Sequence, residues 1–143
     1  AEARMGFRSA RNSVERNAMR VAGFGFRQGA TQMALADALE KARAFAGEVP
    51  IAALATHVSK RGHPAIQALA SKFALPVLSL DERALSSVQT KTQSERVTAL
   101  FGTGSLAEAA ALAAAGAGAR LVCPRVISSD GMAVAAIAEG AGP

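Results

Sequence analysis

The sequence predicts an α/β domain: a three-layer α/β/α sandwich on a mostly parallel mixed sheet of about five strands, closed by a C-terminal antiparallel hairpin. Three observations carry this. Short apolar runs alternate with segments of helical period, as in β-α-β units. A Ser-Ser-Asp-Gly connection, residues 128 to 131, joins the last two apolar runs, as a hairpin turn would. The third is length: 143 residues suffice for one core and are too few for two.

Taken in order, residues 1–18 read as a basic, flexible N-terminal extension, and residues 19–140 as the folded domain, with Met19 a candidate natural start. Arginines at 4, 8, 11, 16 and 20 interrupt any apolar core, which excludes a secretory signal, and Glu2 and Glu15 argue against a transit peptide. Val21–Phe26 is expected as the first strand and Thr31–Ala46 as a helix capped by Thr31. Ile51–Ala55 is a second strand. The polar loop Thr56–Pro64 then leads into a helix from Ala65 to Ala74. Pro76–Leu80 is a short third strand, and Asp81 caps a brief helix through Leu85. Ser86–Ser94, rich in Ser, Thr and Gln without apolar period, is expected as a mobile loop. Ser105-Leu106-Ala107-Glu108 is a capping box, so Leu106–Ala115 is helical and stops at Gly116. Arg120–Cys123 and Met132–Ile137 are the hairpin strands.

Half of the residues are hydrophobic, but alanine dominates, with six phenylalanines and no tryptophan or tyrosine. The core should therefore be aliphatic and closely packed. No apolar run approaches the roughly 20 residues of a membrane span. The net charge of +5 favours acidic partners, yet the cations are scattered and stacking aromatics scarce, so a small polyanion accounts for the surplus better than nucleic acid. The single cysteine, Cys123, lies in an apolar run and reads as a small buried hydrophobe; it permits no internal disulfide, in keeping with a cytoplasmic protein.

In open α/β sheets ligands bind beyond the carboxyl ends of the strands. The segment Gly23-Phe24-Gly25-Phe26-Arg27-Gln28-Gly29-Ala30-Thr31 has the glycines and the helix start of an anion nest. The same spacing is a loosened dinucleotide fingerprint, but the second strand ends Leu54-Ala55-Thr56-His57 without the acid that would hold a ribose, so no nucleotide cofactor is expected. Thr56–Pro64 gathers both histidines with Lys60 and Arg61. No carboxylate or thiolate lies near them in sequence, so no metal is expected. His57 is either a loop residue bonded to backbone or a general acid or base, and His63, before Pro64, suits a helix entry. No nucleophile elbow or Walker loop occurs.

Together, Val21 to Thr31, Leu54-Ala55-Thr56 with Lys60, Gly104 to Leu112, Leu121 to Arg125 and Met132 to Ile137 resemble the CobE family of cobalamin biosynthesis and the carboxyl-terminal domain of CbiG. The resemblance covers Arg20 to Glu139 in order. It departs at Phe26, where relatives commonly carry cysteine, at Arg125, where they often carry lysine, and at Gly62-His63-Pro64, where a glutamate often follows the lysine. It implies a bacterial protein that binds or hands on a precorrin or corrinoid intermediate, with other corrin-pathway enzymes as further candidate partners. CbiG proteins open a precorrin lactone and release acetaldehyde; they carry an additional amino-terminal region without counterpart in these residues, which favours binding over hydrolysis as the expectation. The expected ligand-binding residues are Gly25, Arg27, Gly29, Thr31, Thr56, Lys60, Ser105 and Arg125, with His57 the candidate for catalysis. An NAD(P)-dependent oxidoreductase is the remaining alternative.

Overall fold

A computed structural model describes residues 19–47, 50–89 and 106–142, with residues 86–89 as backbone. Its elements are β1 (Met19–Phe26), α1 (Gln32–Ala46), β2 (Ala53–His57), a 3-10 turn (Val58–Lys60), α2 (Pro64–Phe73), β3 (Val77–Leu80), α3 (Glu82–Gln89), α4 (Leu106–Ala115), β4 (Arg120–Ile127) and β5 (Ala133–Gly140). The sheet order is β3-β2-β1-β5-β4. β1 pairs with β2 and β2 with β3 in parallel, whereas β5 runs antiparallel to both β1 and β4. Four strands therefore point one way and only β5 is reversed. The chain leaves β1, β2, β3 and β4 along one edge and enters β5 at that same edge.

Alternation along β1 divides the core. Ala22 and Phe24 face α1 and α2, in a layer completed by Leu35, Leu39, Leu54, Ile66, Leu69 and Ile137. Val21 faces the opposite layer, where α4 and Leu85 of α3 cover Ala53, Ala55 and Ala138. α4 is almost pure alanine, and Gly23 beneath it has no side chain. A Cβ at Gly23 would run into the Ala107 carbonyl oxygen and lie 2.6 Å from the Ala111 nitrogen. At the other end of the helix, a Cβ at Gly140 would lie 2.5 Å from the Ala115 oxygen. Alanine on the helix and glycine on the strands let two backbones approach where larger residues would hold them apart.

Several boundaries differ from the sequence expectation, each for a physical reason. β1 starts two residues before the expected Val21, and Gly23 and Gly25, read also as part of an anion nest, are paired strand residues in it, Gly23 with Ala55 and Ala136 and Gly25 with Val134. β2 extends through Thr56 and His57, which pair with Ser79 and Leu80. α3 continues four residues beyond Leu85, into the segment expected as a mobile loop; Asp81 Oδ1 accepts the Ala84 N–H at 2.9 Å and starts the helix. Residues 90–94 of that segment lie outside the described residues, as do the extension 1–18 and the Ser105 cap. β4 passes through Pro124 to Ile127. Proline is tolerated there because β4 is an edge strand with register shifts between Leu121 and Cys123 and between Cys123 and Val126.

The Gly23 contact can be tested by substitution. Gly23→Ala is expected to lower the unfolding free energy by about 3 kcal/mol through overpacking against backbone. Gly62→Ala, where a Cβ meets nothing within 4 Å, should change it little. Urea unfolding monitored by far-UV circular dichroism measures both, and equal stability of the two variants would refute the close approach.

Candidate functional site

β1 ends at Phe26 and a tight turn follows, in which the Ala30 N–H donates to the Arg27 carbonyl at 3.0 Å. The Arg27 N–H donates to the Met132 carbonyl at 3.0 Å, which seats this turn against the start of β5. Thr31 caps α1, its hydroxyl accepting the Ala34 N–H at 3.2 Å. Between this turn, the first residue of α4 and the hairpin lies a cleft of about 430 Å³. Its apolar surface comes from Phe26, Leu106, Ile127, Met132 and Val134. Arg27 and Arg125 line the same cleft, together with Gly25 and Gly131.

The hairpin side is held rigidly to α1. The Asp37 carboxylate accepts the Ser129 N–H at 2.7 Å, and the Lys41 ammonium donates to the Ile127 carbonyl and to Ser129 Oγ, each at 3.1 Å. Within the turn, Asp130 accepts from the Ser128 hydroxyl at 2.6 Å and from the Met132 N–H at 3.0 Å, while Gly131 supplies a φ of 75°. On the opposite wall, Glu108 of α4 accepts the Arg125 N–H at 3.0 Å, which pins the irregular part of β4. Cys123 is buried beside it; burial, and secondarily the Glu108 charge, push its thiol pKa up, consistent with a core role.

Beyond Phe26 lies the loop after β2. Lys60 Nζ sits 5.3 Å from the Phe26 ring centroid and donates to Gln28 Oε1 at 3.4 Å. Neither Arg27 nor Lys60 meets a carboxylate among the described residues. His57 Nδ1 accepts the Ser59 N–H at 3.0 Å, so its Nε2 carries the proton and donates to Glu82 at 3.1 Å.

The expected site residues therefore divide. Gly25, Arg27 and Arg125 share the cleft, and Lys60 stands next to it across the Phe26 ring. Gly29 is exposed in the turn. Thr31 serves as a helix cap. Thr56 is fully buried, and its hydroxyl donates to the Phe24 carbonyl at 2.9 Å, bracing β1 against β2. Ser105 lies outside the described residues. The glycine spacing does not build a nest: among the described residues, positive φ at glycine occurs at 47, 116, 118, 131 and 142, not at Gly23, Gly25 or Gly29. Sequence reasoning passed over the apolar wall. Ile127 and Met132 flank the turn, and in the sequence nothing sets them apart from other apolar residues.

The hairpin clamp has a pH signature. The Ser129 N–H holds Asp37 below the usual carboxylate range, and the Ser128 hydroxyl, with the Met132 N–H, does the same for Asp130. Carboxylates lowered on folding contribute stability above their unfolded pKa and lose it as pH falls through the folded one. Stability is expected to decline below about pH 4, and Asp37→Asn with Asp130→Asn should flatten that decline. Thermal melts across an acid series check this; an unchanged slope would show the clamp to be indifferent to charge.

The family described as "Cobalamin synthesis G C-terminus" matches residues 20–138. The chain is 37% identical to the cobalamin biosynthesis protein chiG of Agrobacterium tumefaciens, with a TM-score of 0.66 over 84% of this chain and 97% of that one. It is 30% identical to CobE, a protein of the cobalamin (vitamin B12) biosynthetic pathway, with a TM-score of 0.72 over 88% and 93%. A cobalamin biosynthesis protein G homolog from Sulfolobus solfataricus shares the fold at 16% identity and a TM-score of 0.59, over 87% of this chain and 38% of that one. No curated protein sequence gives a significant match. The chain belongs to the family formed by CobE and the carboxyl-terminal domain of CbiG, proteins of cobalamin biosynthesis.

Proposed function

We propose that the chain binds a carboxylated tetrapyrrole intermediate of corrin synthesis at the carboxyl edge of its sheet and hands it on to the next enzyme. The observation that carries this reading is the joint presence of Arg27 and Arg125 on one cleft with an aliphatic surface. A precorrin presents acetate and propionate carboxylates around an apolar macrocycle, so its site needs separated cations beside an apolar floor. Arg27 and Arg125 supply the cations, and Leu106, Ile127, Met132 and Val134 the floor. Lys60 offers a third cation beyond Phe26. Guanidinium groups suit this task because they stay charged and can hold a carboxylate through two parallel hydrogen bonds.

Isothermal titration with hydrogenobyrinic acid tests the reading. The parent should show saturable binding that weakens with added salt, and Arg27→Ala should weaken it about tenfold, the loss of one charge-assisted hydrogen bond. Lys72→Ala, a cation near Phe73 remote from the cleft, should leave affinity unchanged. Equal weakening by both substitutions, or no binding by the parent, would overturn the reading.

One observation favours the hydrolytic alternative, in which a precorrin lactone is opened as by CbiG. Ser59 Oγ lies 2.9 Å from His57 Nδ1, and His57 Nε2 lies 3.1 Å from Glu82 Oε2, so hydroxyl, imidazole and carboxylate stand in series. Against it, Nδ1 already accepts the Ser59 N–H as the cap of the 3-10 turn. Binding accounts for the site without that relay. Under the binding reading His57→Ala leaves hydrogenobyrinic acid affinity within about twofold and complements a pathway-deficient strain. Under the hydrolytic reading it abolishes lactone opening, followed as acetaldehyde release, while binding persists.

A further inference from the structure

His63 joins the two cationic loops. Its Nδ1 accepts the Ala65 N–H at 3.1 Å and so caps α2, and its Nε2 lies 2.6 Å from the Gln28 carbonyl oxygen. A carbonyl only accepts, so Nε2 carries the proton and the imidazole is neutral in this arrangement. The ring also packs edge to face on Phe26, with centroids 5.0 Å apart and planes at 80°. Phe26 in turn lies under the Lys60 ammonium, and Gln28, whose carbonyl His63 holds, gives its side-chain oxygen to that same ammonium. One imidazole thus fixes the start of α2, the turn after β1 and, through Phe26 and Gln28, the place of Lys60.

We infer that His63 is a positioning residue for ligand capture, acting in its neutral Nε2-protonated form to hold Lys60 and the Arg27–Gly29 turn in one arrangement. This rests on the tetrapyrrole-binding reading above and deepens it by naming a residue that need not touch the ligand. Protonation of Nδ1 would put a donor against the Ala65 N–H, so the ring would leave its seat and release Gln28 and Phe26 together. The charged residues on the segments it touches are Lys60 and Arg61 on its own loop and Arg27 on the turn after β1, while Glu82, at the start of α3, is paired with His57 instead.

A cap alone and a positioning role separate in His63→Asn, since asparagine caps helices well but is too short to span from the α2 cap to Gln28 and Phe26. Titration of hydrogenobyrinic acid is run on the parent and the variant from about pH 8 to about pH 5, the span in which imidazoles ordinarily gain a second proton. The variant should stay folded, with a melting temperature only a few degrees below the parent's, about the effect of one lost internal hydrogen bond, and bind about fivefold more weakly at the upper end because Lys60 is no longer held in place. Parent affinity should fall toward acid more steeply than the variant's. Full affinity and an unchanged pH profile in His63→Asn would reduce His63 to a helix cap and overturn the inference alone. An acid-side rise in the parent that the variant lacks would make His63 a further cation and overturn it too. A parent that binds at no pH overturns both this inference and the reading beneath it.

Discussion

The approach of α4 to β1 over Gly23 sets the geometry of everything at the carboxyl edge. An ordinary helix rests on a sheet through its side chains; here methyl groups and a bare glycine let the two backbones meet. The consequence is felt at the start of the helix. With α4 drawn down, Leu106 falls at the cleft and Glu108 reaches the Arg125 N–H on β4. The alanine content that looks featureless in the composition is thus what allows an apolar wall to stand close beside two arginines.

The second determinant is the reversal of β5. Placing it between β1 and β4 puts the hairpin turn at the carboxyl edge beside the turn after β1, where the Arg27 N–H can meet the Met132 carbonyl. Asp37 and Lys41 then tie the hairpin to α1. Three segments distant in sequence (the β1 turn, the α4 start and the hairpin) form one concave surface, rigid on its apolar side. The cationic side is built differently. Lys60 is half-exposed and is held by the Phe26 ring and by Gln28, which His63 fixes, rather than by an ion pair among the described residues, which leaves its charge available to an anion.

Much of the fold was legible because it rests on local signals. Helical period, the Thr31 and Asp81 caps, the stop at Gly116 and the hairpin connection each act within a few residues of chain. The misplacements came from partners distant in sequence. Gly23 and Gly25 read as nest glycines although the strand Val21–Phe26 contains them, whereas the pairing of β1 with β2 and β5 keeps them extended, and the need for glycine at 23 comes from α4. Thr56 and His57 read as loop because only their pairing with β3 shows them to be strand. At the site, the cations Arg27, Lys60 and Arg125 were visible as charges at or just beyond strand ends. The apolar wall was not, because Leu106, Ile127 and Met132 are ordinary hydrophobic residues until the topology brings them together. The family resemblance also marked Phe26 and the Gly62-His63-Pro64 segment as departures, and the fold puts Phe26 and His63 in contact.

The central claim is that a single cleft, walled by Leu106, Ile127 and Met132 and flanked by Arg27 and Arg125, receives the tetrapyrrole. Amide chemical shifts recorded during titration with hydrogenobyrinic acid test it most directly. The account predicts the largest changes at Arg27, Gln28, Leu106, Arg125, Ile127 and Met132. Changes centred instead on the opposite edge of the sheet, around Ile51, Phe73 and Leu75, would contradict it.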